Sequence, residues 1–433
     1  MKKTSLPLLL AFLTFLRVNA QQLSPEENAI VDYVNNQLPQ TLQLLEKLVN
    51  INSGTLNIKG VKKVGGLLQK EFDKIGFATE WVKMPDSIKR AGHLVATTKG
   101  QQGKRLFLIG HLDTVFEPDM PANPFKKLTD STATGQGAND MKGGDVIMLA
   151  ALQALYQLNL LKNTAITAYF TGDEEKGGNP ISVSRADFIE RAKQCDAALA
   201  FESAQGLHTI ATARRGSSSW YLTVTGKQAH SSGIFDRNYG AVYEAARIIN
   251  TFREQLSQEK YLTFNPAVFA GGTDVAYDFG KVTANIAGKT NIISPNAVVM
   301  GDLRFLTEGQ KDSARQKMTV ITTVYNLPGT SATIRFEDGI TSMEPTAGNR
   351  KLASLLNSVS TDLGIGPVQE GDPGSRGAGD ISYVARYLDC IDGLGASGGG
   401  AHAPGEIINL KELPLLVQRA ALLIYRLTRQ SEP

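Results

Sequence analysis

Cysteine is almost missing from this chain: Cys195 and Cys390 are the only two in 433 residues. Each sits beside an apolar run that reads as a buried strand, so both are expected to be core thiols. The shortage has a chemical consequence, because any metal bound here must be held by nitrogen and oxygen rather than by a thiolate cage. An excess of one charge is missing too. Basic and acidic residues number 45 and 42, and no basic stripe interleaved with aromatics occurs, so nucleic acid is not an expected partner. Beyond the N-terminus no apolar run is long enough to span a bilayer, and no stable membrane anchor is expected.

The N-terminus differs from the rest. Lys2 and Lys3 precede the apolar run Leu6 to Leu16, and Val18-Asn19-Ala20 offers a small-residue cleavage site. Residues 1–20 therefore read as a secretory signal peptide, with an uncleaved anchor as the lesser alternative, and the mature chain is expected to be periplasmic or secreted. The length exceeds what one hydrophobic core normally supports. Texture divides the remainder into residues 21–214, an insert at 215–340, and a resumption at 341–433.

In the outer parts helical periodicity alternates with short apolar runs. Helices are expected from Ser24 to Asn50, Gly60 to Ile75, Gly143 to Leu158 and Asn349 to Leu363, and strands at Thr79–Lys83, His93–Thr98, Leu106–Ile109, Ala165–Phe170 and Ala197–Phe201. This alternation predicts an α/β fold, a mainly parallel sheet sandwiched by helices, whose ligands bind beyond the carboxyl ends of the strands. Between 215 and 340 the strands alternate apolar and polar residues around the helix Gly240 to Leu256, which predicts an α+β insert.

Chemistry-bearing residues gather at the predicted strand ends. Gly110-His111-Leu112-Asp113 follows one strand, Asp173-Glu174-Glu175 a second and Glu202 a third, while Asp140 stands in a glycine-bearing turn before a helix. His402 ends the run Gly398-Gly399-Gly400-Ala401, where glycine lets backbone approach a ligand closely. Taken singly, each could cap a helix, satisfy a turn or lie on a solvated surface. Together, His111, Asp140, Glu175, Glu202 and His402 supply the number and type of ligands that a pair of divalent metals needs. Imidazole with carboxylate suits zinc, with cobalt or manganese as alternatives. Glu174 is placed to move protons, and the reaction class implied is amide hydrolysis. His230 lies in a loop, Gly226 to Gly233, whereas His93 and His208 have no such setting and read as structural.

The segments GHLDTV, GANDMKGG, TGDEEKGG, GKQAHSSG, GDLRF and GGGAHAPGE, with Glu202 between the third and fourth, resemble in order and spacing the M20 metallopeptidase family, and most of all its secreted glutamate carboxypeptidase branch. The resemblance implies a dizinc catalytic domain interrupted by a lid through which many members form homodimers. It makes Asp140 the bridging ligand, with His111 and Glu202 on one zinc and Glu175 and His402 on the other. Asp113 would orient His111 through its carboxylate, Glu174 would be the general base, and the peptide after Asp140 would be cis. His230 from the partner's lid would stabilise the oxyanion. Arg304, assisted by Asn291, would bind the substrate's terminal carboxylate, and Gly398 and Gly399 would line the substrate.

These implications favour a carboxypeptidase that removes a C-terminal residue, glutamate first, from peptides or N-acyl amino acids. A broader dipeptidase or aminoacylase is the alternative. The stretch Gly271 to Thr290 departs from the family pattern by its length.

Overall fold

A computed structural model describes residues 23–236 and 238–430; the expected signal peptide lies outside them. The first helix, Pro25–Val49, starts where its sequence says it should. Ser24 Oγ accepts from the Glu27 N–H at 3.2 Å, and the Glu27 carboxylate accepts from the Ser24 N–H at 2.9 Å, which satisfies two donors that a helix start leaves free.

The central sheet has six strands in the order Ala78–Val82, His93–Thr97, Thr164–Thr171, Gln102–His111, Ala197–Ala200, Asp389–Asp392. The last four run parallel to one another, and the first two join antiparallel at one edge. Alternation along the central strand assigns its side chains to two cores. Leu106 and Leu108 pack beneath the helices Pro25–Val49, Lys142–Gln157 and Leu413–Leu427, whereas Phe107 and Ile109 face Tyr169, Phe188 and Cys390. The second face is covered more thinly than a full helical layer would cover it, by the short helix Ala186–Ala192 and the turn Asp380–Tyr383. Both cysteines are buried and free.

Residues 216–338 build a second sheet, antiparallel, in the order Thr263–Gly272, Asn296–Phe305, Gly216–Gly226, Thr330–Asp338. The helices Gly240–Leu256 and Glu308–Thr323 cover one face and enclose a core of its own around Trp220, Phe252, Leu303 and Met318. The unusual stretch after Gly271 is not an extended turn. It folds into a hairpin, Asp274–Asp278 with Thr283–Ala287, whose Phe279 ring lies 4.7 Å from Tyr221 on the face opposite the helices. Among the described residues no helix is long and apolar enough to cross a membrane.

Three neighbouring parallel strands end level with one another, since Ile109 pairs with Ala200 and His111 with Thr171. This common edge is where the acidic and imidazole side chains emerge.

Candidate metal centre

His111 is the last residue of the central strand and is buried. Its Nδ1 lies 3.0 Å from the backbone carbonyl of Asp113, which can only accept, so Nδ1 carries the proton and Nε2 is free for a metal. That Nε2 lies 3.2 Å from Asp140 Oδ1 and 3.8 Å from Glu202 Oε1. The other oxygen of Asp140 turns the opposite way: Oδ2 is 3.2 Å from His402 Nε2, which is itself 3.2 Å from Glu175 Oε2. Asp140 thus stands between two groups of donors, the arrangement that a bridging carboxylate requires. Donor atoms of His111, Asp140 and Glu175 fall within 4.8 Å of one another, and the buried Glu175 Oε1 has no hydrogen-bond partner among the described residues. A donor set of two imidazoles and three carboxylates, one with an orphaned oxygen, fits divalent cations. When bound, such ions supply Lewis-acid polarisation of a carbonyl and a lowered pKa for water.

The scaffold behind these ligands is itself polar. Asp113 Oδ1 and Oδ2 accept the backbone N–H groups of Glu174 at 3.0 Å and Glu175 at 3.1 Å, and Oδ2 also accepts from Thr55 Oγ1 at 2.7 Å. Asp113 Oδ1 lies 3.6 Å from His111 Nδ1, and the hydrogen bond to that nitrogen is made by the carbonyl of the same residue at 3.0 Å. Glu406 holds the Asp140 loop, its carboxylate accepting from the N–H groups of Gly137 (3.0 Å), Asn139 (2.6 Å) and Asp140 (2.8 Å). The Asp140–Met141 peptide is cis, as the family resemblance implies. Gly144 lets the following helix close on the Glu202 strand, because a Cβ there would lie 1.9 Å from the Phe201 carbonyl.

Glu174 makes no side-chain hydrogen bond among the described residues and opens into a cavity of about 430 Å³ shared with Asp140, Glu202 and His402. Desolvation raises its carboxyl well above the usual range, and repulsion from Glu202 adds to this. Burial likewise pushes Glu202 to about 7, against the attraction of His111. Hydrogen bonds to Asp140 and Glu175 lift His402 to about 11. Burial drives the first two shifts and carboxylate partners the third, and divalent cations held by this cluster would supply compensating positive charge. Chelation is accordingly expected to lower the melting temperature, and zinc to restore it. At a free metal concentration a thousandfold above Kd the stabilisation would be about 4 kcal/mol, readable by calorimetry.

Several predicted residues are not brought to this cavity within one chain. His230 is exposed and caps the short turn Ser231–Gly233; Asn291 lies beside it, its carbonyl accepting the Ser231 N–H at 2.9 Å. Arg304, on the insert's sheet, pairs with Asp302 at 2.7 Å. Gly398 lines the cavity, whereas Gly399 next to it does not. His93 is buried between the Ser184 carbonyl and the Gly172 N–H, and His208 contacts the Pro367 carbonyl, so neither joins the site.

Sequence reasoning passed over Glu406, although it stands in the quoted GGGAHAPGE segment four places after His402. It also passed over Arg214 and Arg376, which line the cavity and carry no local signal.

The chain resembles known proteins along most of its length. Over 404 residues the chain is 26% identical to carboxypeptidase G2 of Pseudomonas sp. (strain RS-16), covering 92% of each. It is 27% identical over 297 residues to succinyl-diaminopimelate desuccinylase of Polynucleobacter necessarius, covering 65% of this chain and 73% of that one. The crystal structure of aminopeptidase PepT from Bacillus cereus superposes with a TM-score of 0.73 at 18% identity, over 90% of this chain and 98% of that one, and so shares the fold. The sequence profile of peptidase family M20/M25/M40 matches residues 107–426, a span that contains all five converging side chains, and the chain belongs to that family as a metallopeptidase-type hydrolase.

Proposed function

We propose that this protein is an exported carboxypeptidase that releases a C-terminal residue, glutamate favoured, from peptides or N-acyl amino acids. The observation that carries the reading is the convergence of His111, Asp140, Glu175, Glu202 and His402 beside the unpartnered Glu174 carboxylate. Similarity to carboxypeptidase G2 along almost the whole length supports the carboxypeptidase form. Two zinc ions are the proposed occupants, with cobalt or manganese as substitutes. Asp140 would lie between them, His111 and Glu202 to one side and Glu175 and His402 to the other. Export rests on the basic and apolar N-terminal run.

In this reading Glu174 takes a proton from the attacking water and hands it to the leaving amine. Gly398 and Gly399 give the substrate backbone room. Arg304, with Asn291, binds the terminal carboxylate through the planar fork that suits a carboxylate. Because Arg304 lies outside the cavity lining, its engagement requires the insert to close toward the cavity when substrate binds. His230, exposed beside Asn291, would reach the cavity of a second copy in a homodimer and donate to the oxyanion.

A panel of N-acyl amino acids and dipeptides, incubated with zinc-loaded protein and read by mass spectrometry, tests the reading. Selective release of glutamate is expected. Arg304→Ala should raise KM for carboxylate-bearing substrates by about tenfold to a hundredfold, the loss of one charge-assisted contact, and an unchanged KM would remove Arg304 from that role. Release of many residues would favour the second reading, a broader dipeptidase or aminoacylase, which the similarity to a desuccinylase also supports.

A further inference from the structure

Two arginines line the cavity, and they differ in what they have left to give. Arg214 has one hydrogen bond from each of its three nitrogens. Its Nη1 donates to Asp392 Oδ2 at 2.6 Å, its Nε to the Gly377 carbonyl at 2.6 Å and its Nη2 to the Ala378 carbonyl at 3.0 Å. Arg376 makes a single hydrogen bond among the described residues, from Nη1 to the Ser203 carbonyl at 2.8 Å. Asp392 is its nearest carboxylate, 3.9 Å from Nη2, but that carboxylate is taken up by Arg214 and by the Gly393 N–H. Yet the Arg376 side chain is only 13% exposed. A guanidinium has five N–H donors in a rigid fork, and those that Arg376 leaves unspent face the cavity it lines, where an arriving acceptor can take them.

Charge points the same way. Asp392 sits closer to Arg214 than to Arg376, and the carboxylates of the cluster together with Glu174 face the cations they would hold, which leaves Arg376 as the less compensated of the two positive groups in the wall. Ser203 and Gln205 add neutral polar atoms beside it.

We infer that Arg376 is a specificity-determining residue that binds a carboxylate on the acyl side of the scissile amide, so that substrates with an anionic acyl group are preferred. The inference rests on the carboxypeptidase reading in one respect: that reading assigns the leaving residue's carboxylate to Arg304, and the cavity's own guanidinium is then left for the other side. Lysine at 376 would supply a point charge without the fork and should keep only part of the preference.

Glutarate and pentanoate share a chain length and differ in one carboxylate, so calorimetric titration of the zinc-loaded full chain with each reads the subsite without turnover. The parent should bind glutarate about tenfold to a hundredfold more tightly than pentanoate. Arg376→Gln should abolish the difference, with Arg376→Lys intermediate and the zinc content of all three equal. A parent with no preference, or an Arg376→Gln protein that keeps it, would overturn the inference. In turnover, the ratio of kcat/KM for N-glutaryl-glutamate over N-pentanoyl-glutamate should fall by the same factor. If Arg376→Gln instead erases discrimination against a leaving residue whose α-carboxylate is amidated, the guanidinium serves the leaving side and the inference fails while the carboxypeptidase reading stands. If the parent hydrolyses neither substrate, that reading fails and the two titrations alone decide the subsite.

Discussion

Replacing Glu174 with glutamine is expected to lower kcat by about 10²–10⁴-fold, the usual contribution of a positioned general base, while metal content stays at the parent value. Glutamine keeps the volume and one oxygen, so the substitution tests proton transfer rather than packing. The backbone around it is pinned by the Asp113 carboxylate, whereas its own carboxylate makes no hydrogen bond among the described residues. Side chain and ligand cluster are thus separable, which the neighbouring Glu175, in contact with His402, is not. Steady-state kinetics with metal analysis by mass spectrometry checks this. Parent-level activity would remove Glu174 from the chemistry, and lost metal would make it a ligand.

Replacing Arg185 with methionine is expected to destabilise the fold by about 3–5 kcal/mol, the cost of leaving buried charge uncompensated. Arg185 is 2% exposed and lies between Asp173, at 2.6 Å, and Asp380, at 2.7 Å, which are 0% and 3% exposed. Asp380 also accepts from Thr171 Oγ1 at 2.6 Å, and Asp173 from Ser184 Oγ at 2.6 Å and the Gly178 N–H at 2.8 Å. The network therefore ties both ends of the acidic turn that carries Glu174 and Glu175 to the sheet. Denaturant unfolding of parent, Arg185→Met and Arg185→Met/Asp380→Asn measures it. The double variant removes one of the stranded charges and should recover part of the loss; a single-variant loss below about 1 kcal/mol would place the triad in the class of dispensable ion pairs.

The parts of this site that were legible in the sequence are those where local pattern determines geometry. A strand of alternating faces ends at His111, and a second and third end before Glu174 and Glu202, so parallel neighbours deliver them to one edge. Spacing alone could not separate the carbonyl of Asp113 from its carboxylate, because both reach the ring from two residues away. Glu406, Arg214 and Arg376, and the pairing of Arg185 with Asp380, were invisible for another reason: the partners lie far along the chain, and no periodicity encodes such pairings. The helix Glu308–Thr323 was overlooked because only Ala314, Met318, Ile321 and Thr322 are buried in it, too few for a clear apolar stripe, although Thr307 caps it. The hairpin after Gly271 could be seen as extra length but not as a structure, since its Phe279 anchors on Tyr221 from another strand.

Asp140 sits between a histidine from the first third of the chain and one from its end, about 290 positions apart. Neither a nascent N-terminal half nor a detached C-terminal one can assemble that pair. Loop closure of such span is slow, and it must precede ion capture wherever the binding groups are gathered only by the finished topology. Uptake of the ion would then time-stamp the last step of folding, and a truncated or half-made molecule would remain chemically silent until its two ends had met.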